Sequence, residues 1–323
     1  MIKTNLLELI ERSKGKRVDI AFLLVILLFG ITPAVTDAPH ILHVLTVFLF
    51  FVAMSLTWNI IMHSGLLSFG HAIFFGIGAY SSVFMVNTMG LHPVYGMLAG
   101  CALSFLLALI VGFTSIRLGG IYFAIFTVVL FFLMRSMSKH LDFIDIPPWE
   151  NVLPSLFSPE FESSGYFLAA WVICAITSII LFSIYHRKTI YTITAIREGE
   201  LGIRTLGVAT LRMKVMIFGL TAVCVSLIGS VYSHSNIFVS PDTGFNMWNS
   251  IKPIAYAFFG GIYTFSGPIF GCILLLLDML VFTPLVPAMG PLIYGVFIVL
   301  IVLFLPGGVM PAIIKRFGSK TTM

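Results

Sequence analysis

The fold is decided by stretches such as residues 41–62, ILHVLTVFLFFVAMSLTWNIIM, in which no acidic residue, lysine or arginine interrupts the apolar side chains. A helix of about 20 mostly apolar residues can cross a bilayer, so this stretch is long enough to span a membrane. We find about ten such segments, near residues 18–36, 41–62, 66–87, 94–115, 119–137, 166–186, 214–233, 249–263, 266–283 and 288–306.

Composition supports this interpretation. Of 323 residues, 59% are hydrophobic and only 10% are charged, whereas soluble domains carry about 25% charged residues. So few charges cannot cover a water-facing surface. The net charge of +5 comes from short blocks between apolar runs, which indicates membrane topology rather than nucleic-acid binding. We therefore predict an all-α, polytopic transmembrane bundle of about ten spanning or half-spanning helices in a lipid bilayer.

The charged blocks predict the orientation, because basic loops stay in the cytoplasm. Residues 1–17 carry five basic and two acidic residues, 138–165 carry one lysine and five acidic residues, and 187–214 carry six basic and two acidic residues. The expected organisation is a cytoplasmic segment at 1–17, a transmembrane domain at 18–309 with an external loop at 138–165 and a cytoplasmic loop at 187–214, and a cytoplasmic tail at 310–323.

Four charged residues fall outside this scheme. Arg135, Lys139 and Lys252 lie where the alternation expects few basic residues. Asp278 is a carboxylate inside an apolar segment, and intramembrane charges are either functional or paired. We expect a structural pair between Lys252 and Asp278. The cysteines lack metal-ligand spacing and are interpreted as packing residues, so no metal or cofactor is expected.

Two glycine-rich segments depart from plain spanning helices. One contains Ser68, Gly70, His71, Gly76 and Gly78, and the other contains Gly260, Gly261 and Gly267. Broken helices of this kind line translocation paths in transporters, so these residues are candidates for such a path. The alternatives are close packing of small residues between helices for the first segment and a tight helical hairpin turn for the second.

The basic loop at 187–214 is predicted to be an amphipathic helix. Its apolar face consists of Ile193, Ile196, Ile203 and Leu206, and charged residues at its rim are Arg197, Glu198, Glu200 and Arg204. Gly207 is expected to end this helix and Thr210 to cap the next one. The helix could lie on anionic lipid or dock on a cytoplasmic motor subunit.

Catalytic motifs are missing from the sequence. It has no HExxH, no GxSxG and no phosphate-binding loop, so we expect no enzymatic activity, and ATP could drive this chain only through another subunit.

The arrangement of several motifs resembles the branched-chain amino acid ABC transporter permeases, in particular their M-type subunit. The matching stretches are Trp58-Asn59 with residues 65–72 and 76–80, residues 117–125 with Thr127, residues 195–200 with Gly207 and Lys214, and residues 238–241 with Gly260-Gly261 and Gly267-Pro268. The resemblance implies a bacterial inner-membrane importer for branched-chain or related hydrophobic amino acids. It also implies a sister permease, two cytoplasmic ATPases, an extracytoplasmic binding protein, and an ATPase-coupling loop at 201–207.

The chain departs from the family pattern at two places. Residues 62–65 read Met-His-Ser-Gly where the family has Gly-Tyr-x-Gly, and residues 305–308 read Leu-Pro-Gly-Gly where the family has Leu-Pro-Arg-Gly. Because of the first departure, a related urea or short-amide permease remains an alternative function. An ion-coupled secondary transporter is a further alternative, although it would favour several intramembrane carboxylates.

The charge alternation yields a direct test of orientation. A cysteine introduced near Glu150 should react with a membrane-impermeant thiol reagent in intact cells, because residues 138–165 are predicted to be external. Labelling that occurs only in inverted vesicles would contradict the ten-segment topology.

Overall fold

The structure is a computed structural model that describes residues 2–36, 38–115, 120–140, 156–158, 161–236 and 239–282, with further scattered positions between 292 and 313. The helices, in chain order, are α1 (Ile2–Leu28), α2 (Thr32–Val35), α3 (Pro39–His63), α4 (His71–Asn87), α5 (Pro93–Ser115), α6 (Gly120–Ser138), α7 (Glu162–Tyr185), α8 (Lys188–Thr205), α9 (Thr210–Ser235), α10 (Pro241–Gly244), α11 (Trp248–Gly260), α12 (Ser266–Gly271) and α13 (Ile273–Leu277). A π-helical turn at Asp278–Phe282 follows α13.

The predicted all-α membrane bundle is confirmed. Among the described residues, six helical segments are long and apolar enough to cross a membrane: Gly15–Val35, Pro39–His63, Pro93–Thr114, Gly120–Ser138, Glu162–Tyr185 and Thr210–Ser235. Shorter apolar helices occupy His71–Asn87 and Ser266–Leu280. The last predicted segment at 288–306, most of the external loop at 138–165 and most of the tail at 310–323 lie outside the described residues.

Two segments that were counted among the ten candidates are shorter than a full crossing. The segment predicted at 66–87 becomes helical only at His71, and the segment predicted at 249–263 forms a helix of 13 residues. At the α-helical rise of 1.5 Å per residue, the 17 residues of α4 and the 13 of α11 reach about 26 Å and about 20 Å. Both are shorter than a hydrocarbon core of about 30 Å.

Helix α3 forms the centre of the bundle and packs against α7, α9 and α11. It is buried along almost its whole length, including Leu42, Val52, Trp58 and Ile60. The outward faces of α5 and α6 carry large exposed apolar side chains instead. Apolar side chains on the periphery are stable in lipid, so the bundle has protein in its centre and surfaces suited to lipid or a membrane partner around it.

Helices α4 and α9 approach each other at backbone distance. A Cβ at Gly78 would overlap the carbonyl of Ser226, and a Cβ at Gly229 would overlap the carbonyl of Phe75. The hydroxyl of Ser230 donates a hydrogen bond of 2.8 Å to the carbonyl of Gly78. Small residues and hydroxyl groups replace the hydrophobic effect as the source of helix association inside a membrane, so this contact fixes α4 on α9.

The loops collect at two ends of the bundle. At the end that carries α8, here called the α8 end, Asp19, His63, His186 and Tyr263 come together. At the opposite end, Ser82 on α4 hydrogen-bonds His234 on α9 at 2.8 Å. The charge alternation predicts the same grouping of loops.

At the opposite end, Arg135, one of the basic residues that depart from the charge alternation, has an acidic partner. The Arg135 guanidinium at the end of α6 forms an ion pair with Asp242 in α10. The hydrogen bond from Arg135, and then its charge, lower the pKa of the Asp242 carboxyl. Arg135 therefore has a partner at this end and does not contradict the predicted topology.

The contact between α4 and α9 is sensitive to side-chain volume. We expect Gly229→Val to lower the thermal stability of the purified protein in detergent, because overpacking a tight contact costs about 1–3 kcal/mol or more. Gly15→Ala is the matched control, since no other group lies within 4 Å of the added Cβ. Size-exclusion chromatography after a temperature series measures the effect, and equal stability of both variants would contradict the close contact.

Candidate functional site

The entry to α4 is a non-helical segment, residues 64–70, whose backbone is satisfied by side chains of neighbouring helices. The Trp58 indole N–H donates to the Ser68 carbonyl at 2.8 Å. The Phe69 N–H donates to the Thr127 hydroxyl at 3.0 Å, and the Ser250 hydroxyl donates to the Phe69 carbonyl at 2.6 Å. Buried backbone groups outside a regular helix require such partners, so this segment is an ordered interruption rather than a frayed helix end.

Three of the predicted path residues lie in this interruption or directly after it. Ser68 and Gly70 lie in the break, His71 is the first residue of α4, and all three residues are buried. The Gly70 N–H donates to the Ser68 hydroxyl at 3.1 Å, and His71 Nε2 lies 3.3 Å from the Thr57 hydroxyl. The structure thus gives these residues the broken-helix geometry that the sequence suggests.

The other two candidates on α4 do not share this arrangement. A Cβ at Gly76 would overlap the ring of Phe245, and Gly78 lies against the backbone of α9. Because glycine has no Cβ, these two positions make room for neighbouring groups. For Gly76 and Gly78 the structure supports the alternative interpretation of small-residue packing.

The second glycine-rich segment is a tight hairpin between α11 and α12. A Cβ at Gly260 would overlap the carbonyl of Gly267, and a Cβ at Gly267 would overlap the carbonyl of Gly261. Gly261 adopts φ +127°, in the region that L side chains rarely occupy. Gly260, Gly261 and Gly267 therefore form the hairpin turn that was the alternative to a path.

Asn59 on α3 holds this hairpin from the centre of the bundle. Its Oδ1 accepts from the Tyr263 N–H at 3.2 Å, and its Nδ2 donates to the Thr264 carbonyl and the Tyr185 hydroxyl, both at 2.8 Å. Tyr263 has φ +70°, which for a non-glycine residue costs about 1–3 kcal/mol and persists only where the surroundings impose it. Sequence reasoning did not assign Asn59 a role, although the Trp58-Asn59 pair was part of the resemblance.

An aromatic and cationic stack connects the hairpin to α8. The His63 ring meets Tyr185 and Tyr263 edge-on, with ring centroids 4.9 and 5.2 Å away. The Arg197 guanidinium lies 4.1 Å from the centroid of Tyr263, a cation–π contact. Arg197 was expected at the rim of an amphipathic helix, and this expectation was wrong, because its side chain lies over the hairpin instead.

A cleft of about 590 Å³ opens beside this stack, between α1, α8 and the hairpin. On its wall, Asp19 Oδ2 lies 3.2 Å from His186 Nε2, and Asp19 Oδ1 accepts from the Ser266 N–H at 3.2 Å. Asp19 thereby ties α1 to α12 and to the residue that follows α7. This second carboxylate within a spanning segment was not singled out in the sequence, and its contacts are those of a structural tie.

The basic loop contains the predicted helix, but its apolar face is divided. The backbone leaves helical geometry at Gly199. Before this break Ile193 and Ile196 are buried, whereas after it Ile203 is half-buried and Leu206 is 76% exposed. The expectation of one continuous apolar face was therefore wrong, because the break rotates the second half of the helix outward.

The turn after α8 follows the sequence prediction in one respect and departs from it in another. Gly207 adopts φ +82° two residues beyond the end of α8, as expected of a glycine that ends a helix. Thr210 begins α9 but does not cap it. Its hydroxyl donates instead to Glu200 at 3.0 Å and accepts from Arg204 at 2.9 Å.

Glu200, which was expected at the charged rim of the helix, is the centre of a polar cluster and is partly exposed. Its carboxylate oxygens lie 2.7 Å from Lys214 Nζ and 2.6 Å from Arg204 Nη2. Partial burial raises the pKa of the Glu200 carboxyl, but hydrogen bonds from Lys214 and Thr210 and the two positive charges outweigh it, so the pKa is lowered overall. Glu200 is therefore held as a carboxylate between α8 and α9.

At the opposite end of the bundle, an almost wholly apolar cavity of about 350 Å³ lies between α4, α5 and α6. Its lining includes Ile77, Phe84, Met134 and Phe245, the polar residues Tyr80, Ser81 and Ser138, and Leu103 and Met137 from the exposed faces of α5 and α6. Such a lining suits an apolar side chain better than a polar ligand.

The predicted partnership of Lys252 and Asp278 agrees with their placement. Asp278 lies near enough to attract the Lys252 ammonium electrostatically. Lys252 Nζ also lies 5.7 Å from the ring centroid of Phe51.

Comparisons with known proteins agree with this architecture. Residues 40–305 match the family described as "Branched-chain amino acid transport system / permease component". Two curated relatives are each 25% identical over 301 residues, which cover 82% of this chain and 69% of the relative. They are the high-affinity branched-chain amino acid transport system permease proteins LivM of Escherichia coli (strain K12) and Salmonella typhimurium (strain LT2). No solved structure matches this chain.

The family match begins within α3 and extends beyond the hairpin, so it contains the interrupted helix, the basic loop and the Asn59 contacts. The family is a transport component rather than a group of catalysts, in agreement with the lack of catalytic motifs in the sequence. The resemblance drawn from the sequence motifs is confirmed, and the chain belongs to the branched-chain amino acid transport system permease family.

Proposed function

We propose that this chain is a membrane-spanning permease subunit of an ABC importer for branched-chain or related hydrophobic amino acids. With a sister permease it would form the translocation path, and two ATPases on separate chains would drive it after an extracytoplasmic binding protein delivers the substrate. The observation that carries the proposal is the outward-turned second half of α8. It exposes apolar residues on a basic loop of a chain that has no phosphate-binding motif of its own.

The docking surface proposed for an ATPase consists of residues 201–207. Leu201 is 79% exposed and Leu206 is 76% exposed. Exposed apolar side chains that project from a short helix are suited to a hydrophobic groove on a protein partner. Ile203 and Arg204 would contribute at the edge of this surface, and Gly207 would direct the chain into α9.

A lipid surface is the alternative occupant of this loop. It would favour an unbroken amphipathic helix with one apolar face, whereas the break at Gly199 separates the buried isoleucines from the exposed leucines. The first half of α8 is thus already occupied by the protein, and the short second half is a poor membrane anchor. This geometry favours a protein partner.

The opposite end would receive substrate from the binding protein in the proposed orientation. The apolar cavity beside α4 suits the aliphatic side chain of such a substrate, and the substrate's ammonium and carboxylate would need polar partners elsewhere along the path. An ion-coupled mechanism is disfavoured, because Asp19 is engaged with His186 and the Ser266 backbone and Asp278 is near enough to attract Lys252 electrostatically.

The docking surface can be tested by a single change of polarity. We expect Leu206→Asp to abolish co-purification of the ATPases while the variant still inserts into the membrane, because an exposed leucine has little role in folding. Leu206→Met is the matched control and should retain the ATPases. Full retention by Leu206→Asp, with transport-coupled ATP hydrolysis unchanged, would remove the docking proposal and favour the lipid alternative.

Substrate class is tested with the assembled importer in proteoliposomes that contain the cognate binding protein. Uptake of labelled leucine should be inhibited by excess isoleucine or valine and unaffected by urea or acetamide, since an apolar cavity discriminates by side-chain burial. Uptake that urea inhibits and valine does not would favour the short-amide alternative.

A further inference from the structure

The second half of α8 is attached to the next transmembrane helix by the carboxylate of Glu200. One oxygen of this group lies 2.7 Å from Lys214 Nζ, and the other accepts from Arg204 and Thr210 at 2.6 and 3.0 Å. Glu200 directly follows the break at Gly199 and directly precedes the exposed Leu201. The ion pair thus joins the segment that carries the proposed docking residues to α9.

Lys214 makes this attachment a strong one. Its side chain is only 7% exposed, in the first turns of α9. A buried ammonium is stable only when paired, and loss of its partner leaves an uncompensated charge. A movement of Glu200 therefore either takes Lys214 with it or separates the two charges at a high cost in free energy.

From Lys214, α9 leads to the interrupted helix. Fifteen and sixteen residues further along α9, Gly229 and Ser230 contact the backbone of α4 at Phe75 and Gly78. The two backbones are in direct contact here, since a single added methyl group would overlap a carbonyl, and the Ser230 hydroxyl joins them by a hydrogen bond. A displacement of α9 would thus move α4, which begins at His71 directly after the irregular segment that contains Ser68.

We propose that the Glu200–Lys214 ion pair is the link through which movement of the segment at 201–207 is transmitted to α9 and then to α4. This inference rests on the proposed function and adds the positioning residue through which ATPase movement reaches the membrane. Lys214 touches neither an ATPase nor the substrate, and it acts through α9. An ion pair that only stabilises the fold would show the same distances, but its removal would not change how much substrate is moved per ATP.

The test uses the complete importer, with both permeases, the ATPases and the binding protein, reconstituted in proteoliposomes. The variant Glu200→Gln with Lys214→Met removes both charges together, so no uncompensated charge is buried and folding should persist. We expect the ATPases to remain bound, because Leu201 and Leu206 are unchanged, and ATP hydrolysis to continue. Leucine uptake per ATP hydrolysed should fall about tenfold, within the range seen for mutations that alter coupling between sites.

Two single variants and a control complete the experiment. Lys214→Met leaves Glu200 with Arg204 and Thr210, so it should fold and show the same loss of coupling even if the double variant does not fold. Lys214→Arg keeps the charge and should restore most of the uptake per ATP. Lys188→Gln removes an exposed lysine at the start of α8 and should behave as the wild type.

A wild-type ratio of uptake to ATP hydrolysis in both the double variant and Lys214→Met would overturn the proposed link. The ion pair would then only stabilise the fold. A ratio for Lys214→Arg as low as that for Lys214→Met would also overturn the link, because the charge would then be irrelevant. Failure of the wild-type complex to bind ATPases or to take up leucine would instead contradict the proposed function, so the two failures are distinguishable.

Discussion

The backbone of residues 64–70 must find hydrogen-bond partners where neither a regular helix nor bulk water supplies them. An unsatisfied peptide group in a membrane costs several kcal/mol, and here Trp58, Thr127 and Ser250 supply partners from α3, α6 and α11. Three helices are thereby held at the N-terminal end of α4. A polar side chain of the buried α3 has the same role at a second place, because Asn59 forms hydrogen bonds with the backbone of the hairpin that connects α11 to α12.

Glycine makes the remainder of the architecture possible by removing volume where two backbones meet. The contacts of Gly78 and Gly229 bring α4 and α9 together without side chains between them, and the Ser230 hydroxyl adds a hydrogen bond across the contact. In a bilayer the helices gain little by hiding apolar surface from lipid, so shape and hydrogen bonding decide which helices associate. The same contact makes α9 a rigid connection between the basic loop and the interrupted helix.

The basic loop combines two environments that are usually found in separate elements. Its first half is part of the protein interior through Ile193 and Ile196, and Arg197 extends over Tyr263 in the hairpin. Its second half exposes Leu201 and is tied back by Glu200. A partner that binds the exposed half would thus act on a segment that an ion pair attaches to the buried Lys214 of α9, which is a suitable arrangement for transmitting movement.

The sequence by itself determined the membrane class, the approximate positions of most helices, the helix in the basic loop and the glycine that ends it, because length, hydropathy and backbone conformation are local properties. The tertiary structure alone decided that Gly76 and Gly78 make room for neighbours, and that Glu200 pairs with Lys214. It also decided that Asn59 holds a turn more than 200 residues away. Lipid and protein interior are equally apolar, so the pattern of hydrophobic residues does not reveal which face of a membrane helix packs. The partners of polar side chains depend on which helices meet, and only the folded bundle brings those helices together.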